Sequence, residues 1–151
     1  MDIAILADIS RSMGEDDRKD LIQVVHTLVD KLGVSETSNH FGFVTFAVNA
    51  TLHSNFSNPF YYNADNLKSK VEKEVNFEPE RDSTRTDLAM NLTLTELFSK
   101  DGGDRPNARN VLLVFTDGNP VYINTSWDDR QNISLLSFPE ALKVIQFYVN
   151  S

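Results

Sequence analysis

The 151-residue chain carries a formal net charge of −8, three histidines and no cysteine. Its length suits one domain with its own core. The acidic balance argues against a nucleic-acid phosphate backbone as partner. Without cysteine, disulfides and thiolate metal sites are excluded, so any metal must be held by oxygen or imidazole. No apolar run approaches the roughly 18 residues of a membrane span, so no membrane insertion is expected. The first residues do not show the basic-then-apolar pattern of a secretory leader.

In chain order, Ile3-Ala4-Ile5-Leu6-Ala7 is continuously apolar, the pattern of a strand covered on both faces, as in parallel sheets. It ends in Asp8-Ile9-Ser10-Arg11-Ser12. From Glu15 to Leu32, Leu21, Val24, Val25, Leu28 and Leu32 recur on one helical face, with Glu15, Asp16 and Asp17 in the first turn and Gly33 as a stop. Phe41 to Ala47 reads as a second buried strand, and Thr51 to Phe56 as an antiparallel edge strand reached by a hairpin. Ala64, Leu67, Val71 and Val75 predict a second helix. Met90, Leu94 and Leu97 predict a third, from Thr86 to Lys100, ended by Gly102-Gly103. Val111 to Phe115 is a third buried strand, leading into Thr116-Asp117-Gly118. The stretch from Asn119 to Leu136 reads as a long polar loop. Ser137-Phe138-Pro139-Glu140 has the form of a helix capping box, and Ile145 to Val149 fits either a last strand or the helix running on.

Strands alternating with helices predict an α/β fold: a doubly wound, mostly parallel open sheet with helices on both faces, in a single domain spanning residues 1–151. In such sheets, ligands bind beyond the carboxyl ends of the strands, where the strand order reverses. Two strands there deliver Asp8 and Asp117 to one crevice. Ser10 and Ser12 alternate with Asp8, so an extended turn can aim all three side chains one way. Two carboxylates with hydroxyls form a hard-oxygen donor set suited to Mg²⁺ or Mn²⁺. Taken alone, each motif is an ordinary turn or cap; together, in this order, they indicate a site. The histidines His26, His40 and His53 show no ligand spacing.

These residues resemble the metal-ion-dependent adhesion site of von Willebrand factor type A domains. Asp8-Ile9-Ser10-Arg11-Ser12 is similar to its first piece. Ser83-Thr84-Arg85-Thr86-Asp87-Leu88-Ala89 is similar to its second, with Ser83 in place of the usual glycine. Phe115-Thr116-Asp117-Gly118 is similar to its third, with Asn119 next, where some integrins have an acidic residue nearby. Gly103 to Arg109 resembles the lead-in of matrix- and collagen-associated members, and the chain as a whole resembles the matrilin and collagen-associated type A domains. The resemblance covers essentially the whole chain.

It implies a Rossmann-like type A fold in which Ser10, Ser12 and Thr84 ligate Mg²⁺ or Mn²⁺ through hydroxyls, and Asp8 and Asp117 act directly or through water. Thr84, the first of the threonine pair, is the implied ligand, while Thr86 stands at a helix N-cap. The resemblance also implies a further helix and a final edge strand beyond Ser151. The function implied is metal-dependent protein binding, in which an acidic side chain of a partner, for instance a matrix protein such as collagen, completes the metal shell. Arg11, Arg85 and Gly118 lie beside the ligands. The two arginines either pair with the partner's carboxylate or balance the acidic crevice.

Two alternatives stand beside that reading. One is a Mg²⁺-dependent hydrolase or phosphoryl-transfer enzyme with Asp8 as nucleophile. That chemistry calls for a second acid two residues on, or a lysine near the phosphate. Position 10 is serine, and no glycine-rich loop with lysine follows the first strand. The other is a metal-free scaffold of the same fold. Sequons at Asn49, Asn55, Asn91, Asn124 and Asn132 suggest an extracellular or cell-surface glycoprotein as part of a longer parent. Asn124 and Asn132, in the long loop, are the best acceptors, and Asn91, on a predicted helix, is the poorest.

Overall fold

In this computed structural model, residues 1–77 and 83–117 are described in full, and residues 133–137 and 143–149 as backbone only. At the centre lies β1 (Asp2–Asp8), with every residue buried. It pairs in parallel with β2 (His40–Phe46) on one side and with β4 (Asn110–Thr116) on the other. A tight antiparallel turn returns β3 (Ala50–Ser54) along the outer edge of β2.

Alternation along β1 divides the core. Ile3, Ile5 and Ala7 join the cluster beneath α1 (Glu15–Leu32) and α2 (Ala64–Val75), with Leu21, Val25, Val29, Leu67, Val71 and Val75. Ala4 and Leu6 join the opposite cluster beneath α3 (Thr86–Leu92), with Ala89, Met90 and Leu97. Each fully buried Leu or Val contributes roughly 1.5–3 kcal/mol, and the two clusters place helices on both faces of the sheet. Gly33, with φ 71°, ends α1 and donates its N–H to Val29 O at 2.9 Å.

Three features differ from the sequence expectation. The third helix does not run as α-helix to Lys100: after Leu92 the chain widens into a π-helical turn, Thr93–Leu97, closed by Phe98 N donating to Thr93 O at 2.8 Å. The Thr93 hydroxyl donates back to Ala89 O at 2.8 Å, and the turn sets Leu97 onto Gly42 of β2, where a Cβ would meet the Leu97 side chain at 2.4 Å. Thr86 is the first residue of α3 rather than its N-cap, which is Arg85.

Finally, β5 (Ile133–Ser137) lies in the stretch read as loop. It pairs antiparallel with β6 (Lys143–Val149), and β6 pairs antiparallel with β4, giving the order β3-β2-β1-β4-β6-β5. The final segment is therefore a strand. The expected capping box reaches outside the described residues beyond Ser137, as do residues 119–132 of the expected loop.

Candidate metal centre

The strand order reverses between β1 and β4, and the expected donors from both strands meet there. Asp8 is the last residue of β1 and is 0% exposed. Its Oδ1 accepts from Ser10 N at 2.9 Å, and its Oδ2 accepts from the Thr116 hydroxyl at 2.7 Å. The turn after β1 then aligns its hydroxyls. Ser10 Oγ lies 3.0 Å from Ser12 Oγ, and Ser12 Oγ donates to Asp117 Oδ1 at 3.1 Å. A continuous line of oxygen donors thus runs from the first strand's loop to the last residue of the Thr116-Asp117 pair.

The electrostatics of this line are unbalanced. Burial pushes the Asp8 carboxyl above its ordinary value. The hydrogen bonds from Ser10 N, Thr116 and the Ser10 side chain pull it down, and the Asp117 charge pushes it up again. Among the described residues the donors to these two acids are hydroxyls and a backbone amide, and such an uncompensated pair fits a small dication. Among the described residues no group of three His, Cys, Asp or Glu side chains gathers anywhere; this donor set instead combines two carboxylates with hydroxyls.

The threonine loop approaches from the β2 side. Arg85 N donates to Ala47 O at 2.8 Å, just past β2, and Ile9 N donates to Phe46 O at 2.9 Å. Residues 83–85 are therefore anchored beside the β1 loop. Thr84 is half-buried, with no hydrogen bond to Ser10, Ser12 or the aspartates among the described residues. The neighbouring Thr86 Oγ1 is buried without a hydrogen-bond partner among them.

Arg85 is engaged by Asp87: Nε and Nη2 each donate at 2.7 Å to its two carboxylate oxygens, and the bonded guanidinium holds that carboxyl below its ordinary value. Arg11 is exposed. Gly118, Asn124 and Asn132 lie outside the described residues, while Asn49 is exposed and Asn55 half-buried. The histidines are scattered. His26 meets Lys68 O, His40 meets Glu36 O, and His53 meets the Thr45 hydroxyl at 2.7 Å.

Two residues of this region escaped the sequence reading. In the sequence Thr116 stands only as part of the Thr-Asp-Gly motif, yet it bonds Asp8 across the strand pair. Arg18 is the other: it breaks the apolar stripe of α1 that continues through Leu21, Val25 and Val29. A cation in a buried stripe is a legible signal.

The fold and this site together define a class, and the chain belongs to the von Willebrand factor type A domain family, which it matches over residues 2–137. It is 25% identical over 123 residues to Matrilin-3 of Gallus gallus, covering 80% of this chain and 26% of that protein. It is 27% identical over 148 residues to Integrin alpha-X of Mus musculus, covering 98% of this chain and 12% of that one. Vitrin of Homo sapiens is 27% identical over 117 residues, covering 78% of this chain and 16% of that protein. The chain thus spans well under a third of the length of each of these relatives. Among solved structures, proximal thread matrix protein 1 from the mussel byssus superposes with a TM-score of 0.68 at 19% identity, covering 80% of this chain and 31% of that one. Another structure of the same mussel protein, with a TM-score of 0.57 at 20% identity over 66% of this chain and 25% of that one, has a zinc-occupied MIDAS motif.

Proposed function

We propose that this chain acts as a single metal-dependent protein-binding module of an extracellular or cell-surface protein. The observation that carries the reading is the line of oxygens from Ser10 through Ser12 to Asp117, with Asp8 buried behind it. Asp8, Ser10, Ser12, Thr84 and Asp117 would hold Mg²⁺ or Mn²⁺, both hard cations suited to an all-oxygen set. When bound, the cation offers an open coordination position to a Glu or Asp side chain of the partner. The zinc-occupied motif of the mussel protein supports a divalent metal at the equivalent place. Likeness to matrilins and vitrin supports a matrix partner, with collagen one candidate.

The chain's own residues prepare the site. Ser10 and Thr116 orient the two oxygens of Asp8, and Ser12 turns its hydroxyl toward Asp117. Arg11 is exposed beside the ligating serines and is the cation best placed to meet a second acid on the partner. Arg85, already bidentate on Asp87, shapes the threonine loop.

The test is binding of the chain to immobilised matrix proteins with and without chelator. Binding should vanish in chelator, return with Mg²⁺ or Mn²⁺, and weaken in Thr84→Ala without loss of the fold. Undiminished binding in chelator would refute the reading. A calorimetric titration with Mn²⁺ that shows no uptake would favour a metal-free scaffold.

A further inference from the structure

The side chain of Arg18 is buried in the second turn of α1, with the residue only 8% exposed. A buried cation is costly unless its donors are satisfied. Every N–H of this guanidinium is directed to a backbone carbonyl. Nε donates to Met13 O at 3.0 Å, Nη1 to Val75 O at 3.0 Å and Phe77 O at 3.1 Å, and Nη2 to Ile9 O at 3.2 Å and Ser10 O at 3.4 Å. Among the described residues Arg18 makes no ion pair. Its counter-charge is the negative end of the α2 dipole, where Val75 is the last helical residue, together with the carbonyls of the β1–α1 loop.

Those partners fall into two groups. Ile9, Ser10 and Met13 bracket the loop that presents the Ser10 and Ser12 hydroxyls. Val75 and Phe77 belong to the C-terminal end of α2 and the residues just after it. One planar fork therefore spans the floor of the serine loop and the C-terminal end of α2. Phe77 itself is 59% exposed, so hydrogen bonds rather than its ring hold its backbone: its N–H donates to Glu74 O at 3.3 Å, and its carbonyl accepts from Arg18 at 3.1 Å.

We propose that Arg18 is a positioning residue for the metal centre. It sets the spacing of the Ser10 and Ser12 hydroxyls, and it couples metal occupancy to the C-terminal end of α2. This rests on the metal-binding reading above. Lysine keeps the charge but is a point donor that cannot reproduce the planar fork, so it separates geometry from electrostatics.

The test uses the whole 151-residue chain with Mn²⁺ alone as probe, followed by calorimetry and by amide hydrogen exchange. In the wild type, Mn²⁺ should slow exchange not only in the loop from Ser10 to Met13 but also at Asn76 and Phe77. Arg18→Lys should stay folded by circular dichroism, bind Mn²⁺ about tenfold or more weakly, the range for residues that orient metal ligands, and lose the effect at Asn76 and Phe77. A folded Arg18→Lys with wild-type affinity would overturn the proposal. So would a wild type in which Mn²⁺ protects the serine loop and leaves Asn76 and Phe77 unchanged, a result that requires no variant to fold. Asp8→Ala run alongside separates the two levels. If it still takes up Mn²⁺ like the wild type, the site assignment itself fails; if it loses Mn²⁺ while Arg18→Lys does not, only the role of Arg18 fails.

Discussion

Replacing Asp8 with asparagine should stabilise the metal-free protein and destroy its response to metal. Asp8 is fully buried and takes hydrogen bonds from Ser10 N and the Thr116 hydroxyl. Asparagine is nearly the same size, its carbonyl oxygen still accepts from Ser10 N, and the Thr116 hydroxyl can rotate to face the amide nitrogen. What disappears is the charge. Holding a carboxylate out of water costs several kcal/mol, whereas changing two charged hydrogen bonds into neutral ones gives back only about 1 kcal/mol each. The repulsion from Asp117 adds to the gain. A net stabilisation of about 1–2 kcal/mol follows, or a rise in Tm of about 2–8 °C for a chain of this size.

The pH dependence has a definite sign. The folded protein holds the Asp8 carboxyl above its ordinary 3.8, so the native state binds this proton more tightly than the unfolded one. The advantage of Asp8→Asn is therefore full above the raised value, and it fades as pH falls from there through 3.8, where both states are protonated. Metal reverses the ranking: at Mn²⁺ a hundredfold above Kd, the wild type gains about 2.7 kcal/mol, or about 5–11 °C, and the variant gains nothing. Thermal scans in chelator and in Mn²⁺, at neutral pH and near pH 4, read all of this. An Asp8→Asn protein less stable than the wild type in chelator, or one that keeps the full Mn²⁺ shift, would refute the reasoning.

Leu97→Ala should cost about 2–5 kcal/mol by emptying its seat on β2, and Gly42→Ala about 1–3 kcal/mol by forcing a methyl into the same side chain. The double variant, measured by urea unfolding, should be clearly less destabilised than the sum, because the new methyl occupies part of the vacated space. Arg105→Met should cost about 3 kcal/mol, the low end for breaking a buried pair, since Arg105 is 31% exposed while its partner Asp2 is fully buried. Asp2 begins β1, at the end away from Asp8, so Mn²⁺ affinity per folded molecule should not change; a drop in calorimetry would mean that the two ends of the sheet communicate. Glycosidase treatment of protein from its native source should lower its mass, with peptide mapping finding sugar at exposed Asn49 and none at Asn91 within α3.

What was legible in the sequence is what local rules determine. The strands β1, β2 and β4 are buried on both faces, so their apolar runs are unbroken. The helices α1 and α2 have the limits their periodicity and flanking residues predict, including Gly33 at the end of α1. Asp8, Ser10, Ser12 and Asp117 were legible as a set because the carboxyl ends of adjacent parallel strands must lie together, whatever the loops between them do. The misses share a different cause. The π-helical turn at Thr93–Leu97 seats Leu97 on Gly42, a glycine far away in sequence. The strand β5 is short, preceded by Gln131-Asn132 and followed by Phe138-Pro139, and defined by its pairing with β6.

Arg18 shows the boundary between the two kinds of information. Its place in an apolar stripe can be read from the spacing to Leu21, Val25 and Val29, and that alone requires that something polar meet it. Which groups do so depends on where α2 ends, and no pattern within α1 encodes that. A charged residue inside a buried stripe therefore announces a junction without naming its members. Here the fold supplies them as the carbonyls of Ile9, Ser10, Met13, Val75 and Phe77. The serine hydroxyls hold their alignment through a side chain that never touches them, so the geometry of this site depends on α1 and α2 as much as on the loops that carry its oxygens.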